Sequence, residues 1–185
     1  GPGGAIVRDA RPEARRRICC TLAPGPSGPV RFDTPGRYTP LFFADEAVAL
    51  AAGHRPCARC RRPAFERFVA AWRRAHGIAE DVAIRADEID RALEAARHRV
   101  ETTGRSRVAA FDLPDAAFVV RDGDRDAPFL VRAGRLWRWR SEGYDPGVAV
   151  AAGETVALLT PEPLVAVLRA GYRAEIAGLA APAGD

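Results

Sequence analysis

Two thiols set two residues apart, in Cys57-Ala58-Arg59-Cys60, constrain this chain more than any other feature. A tight turn lets such a pair reach one ion, so the knuckle is half of a tetrahedral site. What precedes it is ordered: Phe42-Phe43 reads as a short strand, Asp45 to Ala52 as a compact helix with an acidic first turn, and Gly53 as its stop. The other half must come from elsewhere. The only further cysteines are Cys19 and Cys20, and His54 is the one reserve ligand nearby. Successive residues of a strand point to opposite faces, which sets Cys19 and Cys20 apart. The predicted set is therefore Cys20, Cys57 and Cys60, with Cys19 or His54 as the fourth ligand; the other reading of His54 is a ring packed beside the metal.

Four cysteines in a chain with no basic-then-apolar leader favour metal or redox chemistry over a disulfide framework, and the spacing favours a structural metal over inert buried thiols or a redox pair. No apolar run approaches the roughly 18 residues of a membrane span, so the expectation is a soluble, cytoplasmic monomer with no membrane partner. Gly1-Pro2-Gly3-Gly4, in a sequence without methionine, reads as a processing remnant. The formal net charge is +4, and all 28 basic residues are arginine. Without lysine a Schiff-base lyase mechanism on a side chain is excluded, because a guanidinium does not give up its proton. Without Asn or Gln, bidentate adenine readout is excluded too, leaving Arg for guanine and phosphate.

The run Phe42-Phe43, Asp45 to Ala52, Gly53, His54 and Arg55-Pro56-Cys57-Ala58-Arg59-Cys60 resembles the Ada-type metal-binding domain of bacterial DNA alkylation-repair proteins. The likeness covers about residues 42–62. It implies Zn(2+) on four cysteines, a DNA-repair setting and double-stranded DNA, with a damaged or modified base, as partner. The family's upstream pair is Cys-x-x-x-Cys, whereas here Cys19 and Cys20 are adjacent. In the family one upstream zinc-bound thiolate accepts a methyl group from a DNA phosphotriester, and Cys19 or Cys20 stands at the corresponding position.

Along the chain, Arg8, Arg11, Arg15, Arg16 and Arg17 lead into Ile18-Cys19-Cys20-Thr21-Leu22, which reads as a strand lying beside the knuckle. Pro63 opens a helix with Phe65, Phe68, Val69 and Trp72 as its apolar stripe and His76-Gly77 as its end. A second helix, about Asp87 to Val100, buries Ile89, Leu93, Ala96 and Val100. Beyond Arg107 come short strands at 108–111, 117–121, 129–132, 135–140 and 155–160, a tight hairpin at Ala133-Gly134, a helix at 163–170 and a closing strand at 172–176. The fold class is α+β: a zinc-binding module over 5–62, a helical connector over 63–104 and an antiparallel β-rich part over 107–176, either separate or packed as one unit.

Two further constellations carry chemistry. With Asp87 nearby, Asp90, Glu94 and His98 stand at successive i+4 steps, where carboxylates and an imidazole can hold a second metal or activate water; the other reading is a salt-bridged solvent face. Arg135-Leu136-Trp137-Arg138-Trp139-Arg140 alternates, so Trp137 and Trp139 share a face that suits unstacked bases, or else fills a β core while Arg138 reaches out. The leading expectation is a zinc-dependent DNA-binding protein of DNA repair, with phosphate contacts from Arg15, Arg16, Arg17, Arg55, Arg59, Arg61 and Arg62. The rivals are a DNA glycosylase or nuclease using Asp90, Glu94 and His98, and a metal-stabilised protein-interaction module.

Overall fold

The computed structural model describes residues 16–21, 42–124 and 127–179. The expected readings of residues 5–15 and 22–41, Arg15 among them, lie outside the described residues. The class is α+β. In chain order the elements are β1 (Ile18–Cys19), α1 (Glu46–Ala51), β2 (Arg55–Pro56), α2 (Arg62–Ala75), α3 (Ala86–Thr103), β3 (Arg107–Ala109), β4 (Phe118–Arg121), β5 (Pro128–Arg132), β6 (Arg135–Arg140), β7 (Gly143–Tyr144), β8 (Val148–Ala149), β9 (Thr155–Leu158) and α4 (Glu162–Arg169). A 3-10 turn at Ala110–Asp112 follows β3.

The larger sheet is antiparallel, in the order β3-β9-β4-β5-β6-β7, with β8 also pairing β6. Its central strands β4 and β5 are apolar and buried, and β5 turns into β6 through Ala133 at φ 48 and Gly134 at φ 66. Both central residues of the turn are left-handed, the geometry that matches the strand twist in a two-residue hairpin. Gly147 is required for a different reason: a Cβ there would lie 2.5 Å from Trp137 Cε2.

One apolar core unites what the sequence divides into three parts. Leu50 of α1, Phe68 and Trp72 of α2, Ile89 and Leu93 of α3, Val119 and Leu130 of the sheet, and Leu164 and Leu168 of α4 belong to a single cluster. Helix α2 forms because Pro63 presets its first turn and the Phe68/Trp72 stripe has the sheet-side helices to bury against. Val100, expected inside, is 40% exposed in the last turn of α3.

The two expected strands flanking the metal region differ from expectation. Phe42 and Phe43 form no strand; the Phe43 ring instead lies 4.6 Å from that of His54. Residues 172–176 form no strand either. The carbonyl of Glu175 accepts from the backbone N–H groups of Glu46 and Ala47, so this segment occupies the open first turn of α1 rather than a sheet edge. No helix among the described residues is long and apolar enough to cross a membrane.

Candidate metal centre

The knuckle is held between α1 and α2. Asp45 caps α1 by accepting from Val48 N–H at 2.8 Å. The helix is only six residues long, and the chain then runs through Gly53 into β2. Strand β2 pairs in parallel with β1, Ile18 opposite Arg55 and Cys19 opposite Pro56. This pairing brings Cys20, just past β1, beside the knuckle that follows β2. Past β2, Arg61 N–H donates to the Cys57 carbonyl and closes the turn that leads into α2.

The ligating sulfurs of Cys20, Cys57 and Cys60 all lie within 4.8 Å of one another. Metal–sulfur bonds of about 2.3 Å in tetrahedral geometry place sulfurs about 3.8 Å apart, so the three need only a slight inward adjustment to hold one metal ion. Cys57 is buried, while Cys20 and Cys60 are exposed. The backbone N–H of Thr21 donates to Cys60 Sγ at 3.4 Å, and the amino end of α2, which favours negative charge, begins directly after Cys60.

Burial and proximity shift the protonation of these thiols. Burial pushes the Cys20 thiol up to about 12, and the charges of Cys57 and Cys60 add to the effect. Burial acts on Cys57 in the same sense, but hydrogen bonds to its sulfur from the backbone of Cys60 and Arg59 outweigh it and draw that thiol below its ordinary range. A dication removes the mutual repulsion and takes the place of the protons.

The remaining predicted ligands stay outside. Cys19 points to the other face of β1, as alternation requires, and its sulfur accepts from Arg61 Nη1 at 3.4 Å. His54 is buried and packed on Phe43, with Nδ1 3.2 Å from the Ala52 carbonyl. Burial, reinforced by the Arg17 charge, lowers its pKa to about 4, so the ring stays neutral. This is the packing role, and neither ring nitrogen joins the sulfur cluster.

Around the centre, the predicted phosphate contacts divide into two groups. Arg16, Arg17, Arg59 and Arg62 are exposed, and Arg62 pairs with Glu66 at 2.9 Å. Arg55 and Arg61 are structural, a correction to the expected set. Arg55 is buried, forms a two-pronged ion pair with Asp90 at 2.8 Å on both oxygens, and sits over the Phe65 ring. Arg61 is largely buried and joins Glu46 at 3.0 Å to Glu175 at 3.2 Å.

The same pairing removes the expected acid–base stripe. Asp90 is buried with both oxygens engaged by Arg55, Glu94 is ion-paired with Arg97, and His98 is exposed beside Glu101 at 3.8 Å. These three side chains do not converge on one reacting point. On β6, Trp137 and Trp139 are partly buried against the core rather than open as platforms; the Trp137 indole donates to the Arg132 carbonyl at 3.3 Å, and Arg138 faces Asp124 at 3.6 Å. The Trp139 indole N–H is buried with no hydrogen-bond partner among the described residues.

Sequence reasoning misses the polar network that anchors α1. The Tyr172 hydroxyl donates to Glu46 at 2.8 Å, the Tyr144 hydroxyl donates to Asp45 at 2.6 Å, and Glu175 N–H donates to Glu46 at 3.0 Å. Burial, with the adjacent carboxylate, raises both phenols above their ordinary range, so they remain donors. The acidic first turn is the only local signal of these contacts, because the partners lie about a hundred residues downstream. No family description matches the chain, and neither do any curated protein or solved structure.

Proposed function

We propose that this protein is a zinc-dependent DNA-binding protein acting in the repair or processing of modified DNA. One observation carries the reading: Cys20, Cys57 and Cys60 converge next to exposed arginines, Arg59 within the knuckle itself and Arg16 and Arg17 on the chain entering β1. Three sulfurs suit zinc among the common divalent ions. The metal fixes a short arginine-bearing loop that has too few apolar residues to order itself, and guanidinium groups fixed in this way suit phosphate oxygens. The Ada-type likeness of residues 42–62 supplies the setting of alkylated or otherwise modified DNA.

The test is fluorescence anisotropy of a labelled duplex with the zinc-loaded full chain, titrated with salt. With about three or four phosphate contacts, the slope of log affinity on log salt is about −3. Chelation of the metal, or Cys57→Ala, should abolish binding. Equal affinity with and without metal, or binding indifferent to salt, rejects the proposal.

A second reading, a metal-stabilised protein-interaction module, draws on a different surface. Phe111 is 82% exposed, and the residues around it in sequence contribute to an open groove where Val108, Leu113, Leu158 and Val165 are joined by Asp112, Glu162 and Arg169. A metal-loaded protein that ignores DNA even at low salt favours that reading.

A further inference from the structure

We propose that the three-sulfur centre keeps one coordination position for ligands from solution and binds small thiols there as thiolates. This rests on the metal reading above but is independent of DNA binding.

Every cysteine and histidine of the chain lies among the described residues, and among the described residues only Cys20, Cys57 and Cys60 converge. The others are held by contacts of their own. Cys19 is directed away by β1, and its sulfur is engaged by Arg61. Arg61 is in turn fixed by Glu46 and Glu175, and Glu46 by the Tyr172 hydroxyl. Bringing Cys19 to the centre would give up its contact with Arg61, the residue that bridges Glu46 and Glu175. His54 is packed on Phe43, and His76 stacks on Trp72 with ring centroids 4.2 Å apart. His98 stands 75% exposed on α3.

Access is the second observation. Cys20 and Cys60 are exposed, so an ion at their sulfurs faces solution on that side. Centres with three protein ligands take water or substrate in the fourth place, whereas structural sites close with four. An ion already bound by three thiolates takes sulfur readily as its fourth donor. The exchange balances simply: a thiol R–SH displaces the water, its sulfur forms the fourth metal–sulfur bond, and its proton goes to solvent. No electron changes hands. The exposed guanidinium of Arg59 offsets the charge added by the incoming thiolate.

The experiment uses the full chain loaded with cobalt(II), whose sulfur-to-metal absorption counts thiolates. Titration with 2-mercaptoethanol should raise that absorption saturably by about one third, as a fourth thiolate joins three; ethylene glycol should not. Cys19→Ala should start from the same intensity and rise by the same fraction, while Cys60→Ala starts about one third lower. A flat titration of the wild-type protein overturns the proposal, because some group of the chain then closes the site. A loss of absorption in Cys19→Ala overturns it as well and names that group. Cobalt binding with a flat titration leaves the metal reading standing, whereas absence of any sulfur absorption before thiol is added removes both.

Discussion

The two halves of this molecule are held together by different forces. On the sheet side, β4, β5 and α4 contribute Val119, Leu130, Val131, Leu164 and Leu168, all at or below 2% exposure, and Arg132 at the end of β5 is the one buried charge there among the described residues. On the metal side the buried groups include Glu46, His54, Arg55 and Asp90. The reason is length. Helix α1 has six residues and sends only Ala47, Ala49 and Leu50 into the common core, while β1 and β2 have two residues each. Such pieces are fixed by ion pairs and long-range caps, beside three sulfurs placed where they could hold a metal ion, and each of these contacts is directional and fails abruptly when one partner is removed.

The contrast can be broken most sharply at Asp90. Asp90→Ala leaves the Arg55 guanidinium buried and uncompensated, and should cost about 3–5 kcal/mol in denaturant unfolding, together with weakened metal loading. Leu130→Ala in the sheet should cost a similar amount, about 2–5 kcal/mol, yet leave metal affinity unchanged in the protein that remains folded. If both variants lose metal equally, the two halves are not distinct in the sense described. Next in size, Gly147→Ala forces a methyl group into Trp137 and should lower stability by about 1–3 kcal/mol, read as a fall in Tm with the cobalt spectrum unaltered.

Acid should act on the metal side through His54. Its folded pKa is depressed to about 4 from an ordinary 6.5, so the unfolded chain binds the extra proton first. The stability this group contributes is present above about pH 6.5 and is lost as pH falls towards 4. Allowing for solvent screening, the loss is on the order of 2 kcal/mol. A His54→Phe variant should flatten that part of the pH–stability curve; an unchanged slope refutes the assignment. The smallest effect belongs to the rim: Arg59→Ala should leave stability within about 0.5 kcal/mol and reduce the salt slope of DNA binding by about one.

The legible parts of the sequence are those carried by local rules. The knuckle follows from spacing, the separation of Cys19 from Cys20 from strand alternation, helices α2 and α3 from apolar periodicity, and the β5–β6 hairpin from its turn. The acid–base stripe misleads for a geometric reason. Each i+4 step turns about 40° around the helix axis, so Asp90 and His98 diverge by about 80°. One end of the row faces buried Arg55 and the other faces water. Which arginines are structural is equally invisible, because Arg55 finds Asp90, and Arg61 finds Glu175, only after the chain has folded. The segment 172–176 has the composition of a strand, but the unpaired amino end of α1 takes its carbonyl first.

Asp45 has a wider consequence than its place as a helix cap. One of its oxygens receives Val48 N–H, and the other receives both the Tyr144 hydroxyl and the Ala177 N–H. A single carboxylate thereby knots three distant stretches of chain. Any attempt to excise the cysteine-bearing portion as a free-standing fragment would cut through that knot and leave a six-residue helix with only its local Asp45–Val48 cap to support the thiols.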